Sequence, residues 1–169
     1  MGPMDEIQHA SRLTELFGHW PSFHDAEIVG AHLRAATATP SSLELEVEIV
    51  EMSGEVDEAG FYRDRQRCRA VFRFENVSEL GLLDFGPQNV LNDLTVRLTE
   101  PRDHARLNGF WGDRRYYVRF EPIGGYCEIE LYCDRMEVVS AVVVARSESP
   151  DARRGAAQAS SGLPPHPAT

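Results

Sequence analysis

The sequence predicts an α+β domain, an N-terminal helix followed by a mostly antiparallel sheet of about seven short strands. Three observations carry that prediction. Apolar residues recur at spacings of three and four before position 18, then at spacings of two in several segments after position 26. The strand-like segments follow one another without helical stretches between them, which excludes the alternating βαβ units of a doubly wound sheet. Turn signals such as Pro122-Ile123-Gly124-Gly125 separate neighbouring segments, as hairpins require.

The helix is expected over Met4–Phe17. Ile7, Ala10, Leu13, Leu16 and Phe17 share one stripe, and Asp5 and Glu6 sit where the helix dipole favours acids. Gly18 supplies a left-handed stop, and Pro21 lies beyond it. Glu27–Arg34 is expected as a strand, with a Thr/Pro/Ser turn region over Ala35–Ser42. The clearest period of two is in Leu43–Met52, where Leu43, Leu45, Val47 and Ile49 face one way and Glu44, Glu46 and Glu48 the other. Ser53–Gln66 reads as a polar loop containing Phe61 and Tyr62. Arg67–Glu75 alternates again, with Cys68, Ala70, Phe72 and Phe74 inward and Arg67, Arg69 and Arg73 outward. Antiparallel pairing of these two strands sets the arginine row against the glutamate row, and each opposite-charge pair is worth ~0.2–1 kcal/mol.

Further along, Gly81–Asn92 reads as irregular, Leu94, Val96 and Leu98 as strand, and Pro101–Gly112 as loop. Tyr116–Glu121 and Tyr126–Cys133 form the expected hairpin. Met136–Ala145 is apolar on both faces, which predicts a central or covered strand. The domain is expected to end at about 146, and 147–169, rich in Ala, Ser, Gly, Pro and Arg without periodicity, is expected to be a disordered tail.

Composition narrows the function. The 169 residues suit one domain, and the net charge of −10 combines 27 acids with 17 bases, all of them Arg. That sign disfavours nucleic acid and anionic membranes as partners, and suits a basic protein. No apolar run approaches the ~18 residues of a spanning helix, and Met1–Gln8 lacks the basic and apolar parts of a leader, so a cytoplasmic location is expected. Cys68, Cys127 and Cys133 have neither disulfide-framework nor zinc-knuckle spacing, and are expected as reduced core residues.

The densest run of unusual residues is Phe17-Gly18-His19-Trp20-Pro21-Ser22-Phe23-His24-Asp25-Ala26-Glu27-Ile28. His24, Asp25 and Glu27 could ligate a metal or move protons, which makes a metal-dependent hydrolase one alternative reading, beside a regulatory protein-binding domain. Against it, His32 would lie about 26 Å from His24 on an extended strand at ~3.3 Å per residue, and no known ligand spacing occurs. The structural reading has Trp20 and Pro21 anchoring the helix end, Phe23 entering the core, and His24 and Asp25 bonding backbone at the corner. Nucleophile-elbow and phosphate-loop signatures are absent, so neither an enzyme nor a cofactor is expected. In Phe85-Gly86-Pro87-Gln88-Asn89-Val90-Leu91, Gln88 and Asn89 are a recognition pair or, preferably, a turn that caps the following segment. Glu44, Glu46 and Glu48 form either a solvated face or a docking stripe for a cationic partner. Tyr62, Tyr117 and above all Trp111 are candidate aromatic anchors.

Trp20-Pro21-Ser22-Phe23-His24-Asp25, with Val71-Phe72-Arg73-Phe74 and Gln88-Asn89-Val90-Leu91, resembles the immunity protein 50 family of bacterial polymorphic toxin systems, from about Leu13 to Ala145. The resemblance implies a small cytoplasmic protein that binds and neutralises a cognate toxin domain. It assigns no role to the motif residues and leaves the tail outside the family pattern.

Overall fold

The computed structural model describes residues 3–36, 39–60, 62–100, 114–124 and 127–145. Within them the chain is mainly β, with eight strands in two antiparallel four-stranded sheets. The strands are β1 (Glu27–Arg34), β2 (Ser42–Val56), β3 (Tyr62–Glu75), β4 (Ser78–Leu83), β5 (Leu91–Leu98), β6 (Tyr116–Pro122), β7 (Glu128–Cys133) and β8 (Arg135–Val143). The first sheet has the order β1-β2-β3-β8 and the second β4-β7-β6-β5. The expected single sheet after a long helix is therefore corrected to two sheets with one short helix.

Period-two burial explains the pairing of the sheets. Leu43, Leu45, Val47 and Ile49 from β2 and Cys68, Ala70, Phe72 and Phe74 from β3 are all buried, as their alternation predicts. They meet Val118, Phe120, Ile129 and Leu131 of the second sheet in one core. Phe120 stands edge-on to both Phe72 and Phe74, at centroid distances of 6.4 and 6.0 Å.

The expected helix is not continuous. A 3-10 turn covers Pro3–Glu6, and α1 runs only over Ser11–Phe17. Between them His9 adopts φ +58°, and Gln8 pairs in parallel with Glu137 of β8. Tertiary pairing has overridden local helical preference, because the Gln8 N–H donates to Met136 O and the Val138 N–H to Gln8 O, both at 2.9 Å. The apolar stripe still points inward, since Ile7, Ala10, Leu13 and Phe17 are buried. Gly18 ends α1 with φ +78° and donates to Thr14 O at 2.8 Å.

Three further expectations change. Most of Ser53–Gln66 is strand, belonging to the ends of β2 and β3 around an Asp57–Gly60 turn in which the Ala59 N–H donates to Asp57 Oδ1 at 2.9 Å. Part of the supposedly irregular Gly81–Asn92 segment belongs to β4, which pairs with β7. Finally, β8 is an edge strand, not a central one. It is covered instead by the N-terminal segment, through the Gln8 bridge and through Arg12, whose guanidinium donates to Val138 O and, at 2.6 Å, to Val139 O.

Candidate partner-binding surface

The corner after α1 is a backbone clamp. The Asp25 N–H donates to Leu91 O at 3.0 Å and the Leu91 N–H to Ala26 O at 2.8 Å. The Ile28 N–H donates to Asn89 O at 3.0 Å. Asn89 is only 4% exposed, and its side-chain amide donates to Ile28 O and Gly86 O while its Oδ1 accepts from the Gly86 N–H. The two unusual sequence stretches thus lock to each other, with the Asn89 side chain bonding back to Gly86 and across to Ile28 instead of capping the segment that follows it. Phe23 is buried, Pro21 is buried, and the Trp20 ring packs 5.8 Å from that of Phe23.

His24 and Asp25 depart from the structural reading in one respect. Their side chains are 59% and 52% exposed and bond each other, Nδ1 to Oδ2 at 2.9 Å, instead of bonding backbone. Asp25 takes φ +65°, which turns its side chain out of the clamp its own N–H completes. His19 lies 3.5 Å from Glu51 across a shallow groove of about 210 Å³ that also includes Ser22 and His24. Ser22 Oγ accepts from the His24 backbone N–H, which is a turn contact and not a nucleophile–base contact. Among the described residues no three His, Cys, Asp or Glu side chains stand together as a ligand set, and Glu27 does not join the His24–Asp25 pair.

The outward face of the first sheet is a lattice of opposite charges. The register sets Glu44 opposite Arg73 and Glu48 opposite Arg69, as the row argument predicts. Arg73 bridges Glu44 at 2.7 Å and Glu137 of β8 at 2.9 Å. Glu48 pairs with Arg67 and with Arg69 at 3.1 Å, and Arg67 also holds Asp64 at 2.8 Å. Burial alone would raise the Glu48 carboxyl, but the hydrogen bonds from Arg67 and Arg69 outweigh it and hold its pKa below the ordinary 4.5. Glu46 differs from its neighbours. It is exposed opposite Val71, with its side chain over Gly30, and has no ion pair among the described residues. Two of the three acids in the candidate stripe are therefore occupied by the chain's own arginines.

A projecting element was read as loop in the sequence. Among the described residues, β2 and β3 pair only with each other beyond Glu51 and Gln66, because β1 stops at Glu48 and β8 at Cys68 along this hairpin. The resulting arm has Met52, Val56 and Tyr62 exposed, Tyr62 at 61%. Its four acids, Glu55, Asp57, Glu58 and Asp64, outnumber its two basic residues, Arg63 and Arg65. A groove of about 550 Å³ at the arm's base includes Asp57, Asp64, Arg65, Arg67 and Val143. The missed signal was the pair of β-formers Val56 and Tyr62 flanking the Asp57-Glu58-Ala59-Gly60 turn. An arm solvated on both faces shows no apolar alternation.

Of the aromatic candidates, Tyr62 is on the arm. Tyr117 is partly buried between Tyr132 and the Arg97 guanidinium, which lies 4.3 Å from its ring centre. Trp111 and the 147–169 segment lie outside the described residues. No helix among the described residues is long and apolar enough to cross a membrane. Comparison of the chain with protein-family models, with curated proteins and with solved structures finds no match.

Proposed function

We propose that this chain is an immunity protein that binds a cognate toxin domain and neutralises it by stoichiometric occlusion, without catalysis. The observation that carries the proposal is the β2–β3 arm, a strand pair freed from both neighbours that offers Met52, Val56 and Tyr62 within an acidic frame. Apolar anchors ringed by charge are the usual composition of a protein contact, with the anchors supplying affinity and the charges the approach. The acidic balance of the whole chain suits a basic toxin domain, and the resemblance of Trp20–Asp25 to an immunity family points the same way. Glu46 at the open side of the charge lattice extends the contact face, and Glu44 and Glu48 hold its arginines in place.

The proposal requires a toxin-like protein encoded beside this gene, and co-expression with the C-terminal domain of that neighbour tests it. The wild-type chain is expected to restore growth, and the Val56→Asp/Tyr62→Asp double variant to lose rescue while keeping a cooperative melt. Association with the purified toxin domain is expected to approach about 10⁸ M⁻¹s⁻¹ at low salt and to slow steeply with ionic strength. Rescue undiminished in the double variant removes the arm from the contact, and no rescue by the wild type overturns the reading. Substrate turnover abolished by His24→Ala in a folded protein would replace it with the hydrolase.

A further inference from the structure

A further cleft, of about 650 Å³, opens away from the arm, between the end of β1, the start of β2 and the β3–β4 turn. Its size lies within the ~300–1,000 Å³ usual for small-molecule sites. The apolar side chains of Leu33, Val77 and Leu80 line it together with Ser78 and Arg114. Ser78 is 6% exposed, and neither its Oγ nor the Nε of Arg114 has a hydrogen-bond partner among the described residues. A buried polar atom left unpaired costs ~1–3 kcal/mol, so two in one cleft call for an explanation outside the chain's own bonding.

The backbone on both sides of the pair is held. Ser41 ties down the β3–β4 turn, accepting from the Asn76 N–H at 2.7 Å and donating through Oγ to Val77 O at 2.7 Å. Asn76 donates to the Asp134 carboxylate, which also accepts from the Arg115 N–H at 3.4 Å. The Thr99 hydroxyl donates to Arg114 O at 2.5 Å. The backbone that carries both side chains is therefore held, but each of the two atoms has under 1 Å² of accessible surface, so a ligand reaches it only when the side chain turns toward the cleft.

We propose that this cleft binds a small amphipathic carboxylate, whose oxygens accept from Arg114 Nε–H and Ser78 Oγ–H and whose aliphatic chain covers Leu33, Val77 and Leu80. Charge selects the head group. Among the described residues lining the cleft, Arg34 and Arg114 outnumber Glu79, on a chain of net charge −10. One excess positive charge suits a monoanion better than a phosphate dianion, and a guanidinium matches carboxylate geometry. The apolar wall selects the tail, at roughly 0.8 kcal/mol for each methylene buried.

The test is titration of the full chain with sodium octanoate, read by calorimetry and by backbone amide shifts. Saturable one-to-one binding is expected, with shifts centred on Ser78, Leu80 and Arg114. Octan-1-ol, lacking the charge, and acetate, lacking the tail, are each expected to bind at least about tenfold more weakly. Arg114→Gln and Ser78→Ala should each weaken octanoate while leaving the wild-type shift pattern elsewhere. Should Arg114→Gln fail to fold, Arg114→Lys, which keeps the charge but loses the Nε–H, should show the loss instead. Non-saturable binding, shifts centred elsewhere, octanol binding as tightly as octanoate, or octanoate affinity unchanged in the folded Arg114 and Ser78 variants overturns the proposal. None of these residues lies on the arm, so its failure leaves the toxin-binding reading untouched.

Discussion

Glu48 shows how a single side chain links the sequence pattern to stability. Its carboxylate is 16% exposed and shared between Arg67 and Arg69. With its pKa below 4.5 in the folded state, the stabilisation it contributes is fully present above pH 4.5 and is lost as the pH falls through the depressed folded value. Glu48→Gln is therefore expected to lower stability by about 1–2 kcal/mol at neutral pH, with the difference vanishing in acid. Denaturant melts of both proteins between neutral pH and pH ~3 check this, and a pH-independent gap would contradict it. Asn89 makes the opposite point about legibility. Its place in a turn was readable, but its partner Ile28 lies 61 positions away, and no local pattern carries that distance.

At the scale of elements, the N-terminal segment decides how β8 is protected. An edge strand with Val138 and Ala141 on it would invite pairing with another chain, and Gln8 and Arg12 occupy its backbone groups over 136–139. Gln8→Pro removes the donor to Met136 O and is expected to cost about 2 kcal/mol. Hydrogen exchange should then lose protection at the Val138 amide, which donates to Gln8 O, while the β2–β3 amides near Leu45 keep theirs. Equal loss at both places would mean that the segment supports the whole core and not this edge. The β2–β3 pairing was legible because both strands alternate strictly and carry complementary charge rows. The arm was not, because with both faces in water it has no core to impose a pattern.

Over the whole molecule, the core is one continuous cluster drawn from both sheets and the N-terminal segment, and it encloses all three cysteines. Burial pushes the Cys68 thiol up to about 11 and the Cys133 thiol to about 12, with Glu48 and Asp134 adding to the effect, and raises Cys127 as well. At about pH 8 the native protein is therefore expected to react with a thiol reagent only at its rate of opening, and all three thiols to react at once in guanidinium. A rapid native-state equivalent would show that one cysteine is reached without unfolding.

Local chemistry was enough to place β1, most of β2 and β3, the Gly18 stop and the inward faces, since each depends on periodicity or on one backbone angle. Long-range contact had to settle the rest: the division into two sheets, the edge position of β8, the broken helix at Gln8, and the meeting of His24-Asp25-Ala26 with Asn89-Val90-Leu91. The physical reason is that a backbone donor or acceptor can be satisfied by any strand that reaches it. Which one does so depends on how the whole core closes, and that is not written in any window of neighbouring residues.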